Sequence, residues 1–197
     1  MFCVLNGVPF VFAQLQDESL LGELYRYCLS LEKKILALDQ TWKGDTRNPT
    51  TSRYGSYNFL KFDHPCVGKV FDFIRANCRE MLKHMASPKR KLWIQCWINI
   101  HRKGQALHKH HHSGYVMHGH MTVHTRDTST VYGEGDEIVI ENRPGMMTVI
   151  GKNEVPHYVT PYRGPRGARV SIAFDVISQS VAGKIRKTNG RVIVPFD

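Results

Sequence analysis

Apolar positions follow two different periods along this chain. Val4 to Phe12 reads as a first strand ending near Gln14. Asp17 or Ser19 can then cap a helix. Leu20, Leu21, Leu24, Tyr25, Cys28 and Leu29 give that helix one apolar face, and the pattern continues through Lys33 to Leu38. Residues 41–58 are rich in Gly, Asn, Thr, Ser and Arg and predict a long surface loop, carrying Arg47, Arg53, Tyr54 and Tyr57 as a possible substrate lid. Pro65 opens a second helix, in which Val67, Val70, Phe71, Ile74, Cys78, Met81, Leu82 and Met85 form a stripe of core type, and Ser87-Pro88 ends it.

From Leu92 onward the period changes to two. Leu92, Ile94, Cys96, Ile98 and Ile100 alternate with Trp93, Gln95, Trp97 and Asn99, a strand with both faces occupied. Further strands are predicted at Met117–His124, Thr128–Tyr132, Glu137–Glu141, Met146–Ile150, Tyr158–Pro161 and Val170–Ile177, separated by turn signals such as Pro144-Gly145. Asn189-Gly190, between Ile185 and Val192, suggests a hairpin or an ordered tail. Helices followed by seven or so short strands predict an α+β fold: a jelly-roll (double-stranded β-helix) core with N-terminal helices packed on one sheet. The expected organisation is one domain over residues 1–197. Residues 1–90 form the N-terminal strand and helical part, 91–177 the jelly-roll core and 178–197 a C-terminal tail.

Composition changes this picture little. With 42% hydrophobic and 22% charged residues the chain is of ordinary globular type. Five scattered cysteines with no Cys-x-x-Cys pair argue against a disulfide framework or a thiolate zinc site, and for a reducing compartment such as the cytoplasm. The apolar N-terminus is interrupted by Asn6, Gly7 and Pro9 and does not read as a signal peptide; no stretch suits a membrane span. The net charge of +10 is compatible with a polyanionic partner such as nucleic acid, or with nothing more than a solvated basic surface.

The candidate chemistry lies in histidine. Eight of eleven histidines fall between His101 and His124, and imidazole is the commonest metal ligand. His108-Lys109-His110 and His110-His111-His112 are overlapping His-x-His pairs, and His118-Gly119-His120 is a third. In extended chain, residues i and i+2 face one side, so either member of a pair can reach one ion. His157, at the start of another strand, is the candidate third ligand. His64, His84 and His101 read as surface or helix-end residues, His111 as pointing away, His124 as a strand-face residue and His120 as a supporting residue of the pocket. On the last strand Arg169 and Ser171 share an inward face, and a guanidinium in an apolar barrel is costly unless it binds an anion such as a small carboxylate.

Together these residues resemble the non-haem Fe(II), 2-oxoglutarate-dependent oxygenases. The resemblance rests on Trp97-x-Asn99, Arg102-Lys103-Gly104, then His110-x-His112, followed by Pro144-Gly145, His157 and Arg169-x-Ser171, and covers roughly residues 92–177. It implies Fe(II) on His110, His112 and His157, with 2-oxoglutarate held by Arg169 and Ser171. O2 would be the oxidant, with ascorbate as possible reductant. The implied reaction decarboxylates 2-oxoglutarate to succinate and CO2 while hydroxylating a peptide side chain, an amino acid or a nucleobase. The family's usual motif is His-x-Asp or His-x-Glu, and here His112 stands in the carboxylate's place. An all-histidine triad, a carboxylate from elsewhere, or an inactive protein all remain open. So does His108 with His110 as the ligand pair, although five residues between Gly104 and His110 favour His110 and His112.

Two rivals stand beside this reading. A cupin-type metalloprotein fits Gly104 and His110-x-His112, but lacks its Glu in Ser113 to Met117 and has no use for Arg169. A non-catalytic basic module that binds nucleic acid explains the charge and the Lys184–Arg191 tail, but not the spacing of the histidines against Arg169.

Overall fold

The computed structural model describes every residue except 43–48, 86–90, 152–153 and 189–190, and leaves out the side chains of 186–188. Two strands open the chain, β1 (Phe2–Leu5) and β2 (Val8–Gln14), followed by helices α1 (Glu18–Leu36) and α2 (Pro65–Lys83). Then come β3 (Leu92–His101), β4 (Leu107–His110), β5 (Met117–His124), β6 (Ser129–Tyr132), β7 (Ile138–Glu141), β8 (Met146–Ile150), β9 (His157–Val159) and β10 (Arg169–Ser178). Helix α3 (Gln179–Thr188) and the short β11 (Val194–Pro195) complete the chain.

The strands form two antiparallel sheets. One has seven strands in the order β1-β2-β8-β5-β10-β3-β11; the other has four in the order β4-β9-β6-β7. This is a jelly-roll arrangement. β3 and β10 pair along their full length, from Arg169 opposite His101 to Ser178 opposite Leu92. Both are buried throughout or nearly so, and alternation gives them two different faces. Ile94, Cys96, Ile98, Val170, Ile172 and Phe174 share one apolar core with Leu24 and Cys28 of α1 and with Val70, Ile74 and Cys78 of α2. Fully burying one such side chain contributes about 1.5–3 kcal/mol. The opposite face carries the polar residues of the site.

Asp17 caps α1 by accepting from the Leu20 amide, and His64 does the same for α2 through the Cys66 amide. Three features differ from the sequence reading, and a fourth expectation falls on residues that are not described. The single first strand is a hairpin: Asn6 and Gly7 take left-handed φ values of 48° and 71°, the geometry of a tight two-residue turn, so Leu5 faces Val8. Helix α2 ends at Lys83, before Ser87-Pro88, whose segment lies outside the described residues. β4 and α3 had no clear signal, the first because Leu107–His110 is too short for a period. The proposed hairpin at Asn189-Gly190 lies outside the described residues; Ile185 before it is helical, in α3.

The expected surface loop is also different in kind. Arg47 lies outside the described residues, but Thr50, Thr51, Ser52, Tyr57 and Asn58 are buried. They run along the part of β3 that β11 leaves uncovered. The Ile100 amide donates to Thr50 Oγ1 at 2.9 Å and the Ile98 amide to Tyr57 Oη at 2.8 Å. Side chains here complete a sheet edge that would otherwise present bare amides.

Candidate metal centre and anion pocket

The site lies between the two sheets, where the β4–β9 register sets His110 opposite His157. Past the end of β4 the chain is pinned by the Glu154 amide donating to His112 O at 2.9 Å. The result is that ligand atoms of His110, His112 and His157 all lie within 4.8 Å of one another. His108 is not in this group; it lines a surface groove with Lys109 and Tyr158. His111 is exposed and is not in this group either; it lines the outer chamber.

Each of the three rings is oriented through its Nδ1. His110 Nδ1 donates to its neighbour His108 O at 2.8 Å, and His157 Nδ1 to Val155 O at 3.2 Å. His112 Nδ1 lies 2.7 Å from Asp175 Oδ1. Acceptors on Nδ1 of His110 and His157, and the carboxylate beside Nδ1 of His112, leave the Nε2 atoms for an ion, the usual outer-shell arrangement of metal-bound imidazole. Burial, then the neighbouring His112, depresses His110 to about 4. Burial and the surrounding imidazoles also hold His157 well below its ordinary value. Both rings are therefore neutral donors at neutral pH, as ligation requires.

Asp175 was absent from the sequence reading. It follows Arg169, Ser171 and Ala173 at i+2 steps on β10, so the alternation that placed Arg169 inward places Asp175 inward too. It is 1% exposed. Neither carboxylate oxygen has hydrogen-bond geometry to any group, the close approach of His112 being out of line. A buried carboxylate without hydrogen bonds needs compensating positive charge. A dication on the adjacent histidines supplies it, so the residues present fit a metal.

His118, opposite Asp175 in the β5–β10 register, stacks on His112 with centroids 4.5 Å apart and planes 8° apart. His120 sits beyond it and contacts Asn142 and Thr130. His124 packs at a tilt against Tyr25 and contacts Ala168 O. His64 and His84 are the helix-end residues expected, but His101 is not a surface residue: it is fully buried, and its Nδ1 lies 3.4 Å from Arg169 Nη1. The polar register of β3 continuing one residue past Ile100 was the available sign.

Arg169 is 1% exposed. Its Nη1 donates to Ser171 Oγ at 3.0 Å, while its Nε has no partner. Burial pulls it down only to about 10, so it is cationic at neutral pH. A buried guanidinium with an unmet N–H and a hydroxyl beside it fits a carboxylate. An inner cavity of about 40 Å³ runs from Arg169 and Ser171 past Asn99 and Thr130 to the histidines. An outer chamber of about 250 Å³ shares Thr51, Trp97, His110 and His112 with it, so the two adjoin.

The fold is that of solved 2-oxoglutarate- and Fe(II)-dependent oxygenases. A prolyl-4-hydroxylase of Pseudomonas putida is 12% identical, with 84% of this chain and 91% of that one covered and a TM-score of 0.60. A prolyl hydroxylase of Trichoplax adhaerens, solved with a hypoxia inducible factor oxygen degradation domain peptide, is 10% identical over 89% of this chain and 86% of its own (TM-score 0.59). A viral collagen prolyl hydroxylase from Paramecium Bursaria Chlorella virus-1, solved with 2-oxoglutarate, is 12% identical over 86% and 95% (TM-score 0.55). At such identities the likeness establishes the fold. No family model and no curated protein matches the sequence. Among the described residues no helix is long and apolar enough to cross a membrane. The polyanionic partner suggested by the net charge gains no support from the site or from these relatives.

Proposed function

We propose that the protein is an Fe(II)- and 2-oxoglutarate-dependent oxygenase that hydroxylates a substrate and releases succinate and CO2. The observation that carries this reading is the pairing, across one continuous cavity, of a three-imidazole donor set with a buried, unsatisfied guanidinium. His110, His112 and His157 would hold the metal through Nε2, and Arg169 with Ser171 would receive the distal carboxylate of 2-oxoglutarate. Fe(II) with bound 2-oxoglutarate supplies oxidative decarboxylation coupled to oxidation of a substrate C–H bond. This chain's residues bind, orient and exclude water. Arg169 would fix the co-substrate's far end.

Asp175 supplies the carboxylate that the His110-x-His112 motif lacks, one step removed from the ion. With His112 Nδ1 2.7 Å from its Oδ1, Asp175 would set the tautomer of His112 and offset the charge of a bound dication. The substrate is of the kind the family accepts, a peptide side chain, a free amino acid or a nucleobase, and the prolyl hydroxylase relatives put the peptide side chain among them. The test is succinate release from 2-oxoglutarate with Fe(II) and ascorbate, in wild type, His157→Ala and Arg169→Ala. Loss in both variants with retained folding is expected. Failure of 2-oxoglutarate to bind or thermally stabilise the anaerobic Fe(II) protein overturns the reading.

A further inference from the structure

The outer chamber carries a cation that the metal and 2-oxoglutarate do not use. Arg191 comes from the C-terminal tail, and its backbone neighbour Val192 is pinned on both sides. The Val192 amide donates to Gly55 O at 3.2 Å, and Asn58 Nδ2 donates to Val192 O at 3.0 Å. The guanidinium is laid over the Tyr54 ring, 4.7 Å from its centroid, and Nη1 donates to Tyr115 Oη at 2.9 Å. Both partners are neutral, and among the described residues no carboxylate lies within ion-pairing distance of it. It is thus held as a fixed, incompletely neutralised cation at the chamber wall.

Much of the rest of the chamber is aromatic, with Thr51, His111 and Ser113 as its other polar members. Trp42, Tyr54, Trp97 and Tyr115 line it, and His110 and His112 form its metal-facing side. Tyr54 and Trp97 meet at 5.4 Å, and Trp42 approaches His110 at 5.9 Å. A volume of about 250 Å³ is at the small end of ligand pockets, below that of most drug-sized sites. Asp175 also borders the chamber, and its negative charge disfavours a multiply charged anion. One guanidinium with an unpaired carboxylate elsewhere on the chamber wall suits a singly charged ligand better than a phosphate dianion.

We propose that the outer chamber is a binding site for a monocarboxylate with an aromatic or apolar body, its carboxylate on Arg191 and its body between Tyr54, Trp97 and Tyr115. This deepens the oxygenase reading by naming a substrate class for the same site, and rests on that reading only for the fate of the bound acid. The carboxylate can belong to a free acid or to the C-terminus of a short peptide.

The experiment is a tryptophan-fluorescence titration, since Trp42 and Trp97 line the chamber. The probes are phenylacetate, 3-phenylpropionate, their methyl esters, phenyl phosphate, and a tripeptide ending in phenylalanine. They are added to the anaerobic protein with and without Fe(II). The acids are expected to bind at least tenfold more tightly than their esters and than phenyl phosphate. Arg191→Gln should erase that preference and Arg191→Lys restore part of it, with unchanged near-ultraviolet dichroism and 2-oxoglutarate binding. If the tripeptide outbinds the free acids with the same Arg191 dependence, carboxylate recognition stands and the source is a chain end. Equal binding of acids and esters, preference for the phosphate, no response to any probe, or an Arg191→Gln variant that binds like wild type overturns the proposal. Succinate release is assayed separately. Arg191-dependent binding without turnover removes the oxygenase reading and leaves this one standing.

Discussion

Asp175 and Arg169 are buried charges of opposite sign on one strand; neither Asp175 oxygen has an in-line hydrogen bond, and the Arg169 Nε has no partner. Removing one member of a satisfied buried pair costs several kcal/mol, whereas replacing an unsatisfied buried charge by an apolar side chain of similar shape is often neutral or stabilising. Arg169→Met is therefore expected to keep or raise the melting temperature of the metal-free protein while abolishing the thermal shift given by 2-oxoglutarate. A melting temperature several degrees below wild type would show that the guanidinium serves the fold and not a ligand. Asp175→Asn keeps the shape and removes the charge. Its expected effect is a 10- to 100-fold loss of Fe(II) affinity, the usual consequence of removing such a supporting group, read by competition with a coloured chelator. Affinity unchanged within twofold would leave Asp175 without a role at the metal.

At the scale of elements, the site depends on close backbone approaches that few residues permit. A side chain added at Gly119 of β5 would place Cβ 2.4 Å from Thr148 O and 2.7 Å from Phe174 Cζ. Gly119→Ala should lose at least about 1–3 kcal/mol of stability, measured by chemical denaturation, because the backbone oxygen of β8 cannot yield as a flexible side chain can. Tyr57→Phe removes the acceptor of the Ile98 amide on β3 and should cost about 1–3 kcal/mol for the same measurement. Much of this architecture was legible in the sequence. The strands at Met117–His124 and Met146–Ile150 have the bounds read from alternation, and the inward face of β10 was found through Arg169 and Ser171. What escaped did so for physical reasons. β4 is held by pairing with β9 and not by any period of its own. The buried segment at 50–58 looks like a loop because Thr, Ser and Asn satisfy β3 with side chains, which composition cannot distinguish from solvation. Asp175 escaped because a lone acid in an apolar run carries no meaning until His112 is seen beside it.

For the molecule as a whole, gathering histidines between two sheets ties stability to pH. Burial holds His110 and His120 down to about 4 each. It also keeps His101, His118 and His157 well below the ordinary value, with Arg169 adding to the effect at His101. The unfolded chain binds protons at these rings near pH 6.5, and the folded chain does not until the pH is much lower. The sign follows from linkage: where the unfolded state carries more protons, stability rises with pH. The stability these neutral rings contribute is thus complete above about pH 6.5 and is lost as pH falls toward 4, at about 1.4 kcal/mol per pH unit for each proton taken up on unfolding. Guanidinium denaturation of the metal-free protein should show a midpoint that is flat between pH 8 and 7 and falls steeply from 6.5 to 5. His101→Gln removes one such ring far from the three-histidine set, and should flatten the acid limb by about one proton whatever it does to the stability at pH 8. An acid limb of wild-type steepness in that variant would mean that His101 is already protonated beside Arg169. Adding Fe(II) at fixed pH should move the midpoint up and deepen its acid dependence, because an ion on His110, His112 and His157 binds only the folded chain and competes there with protons.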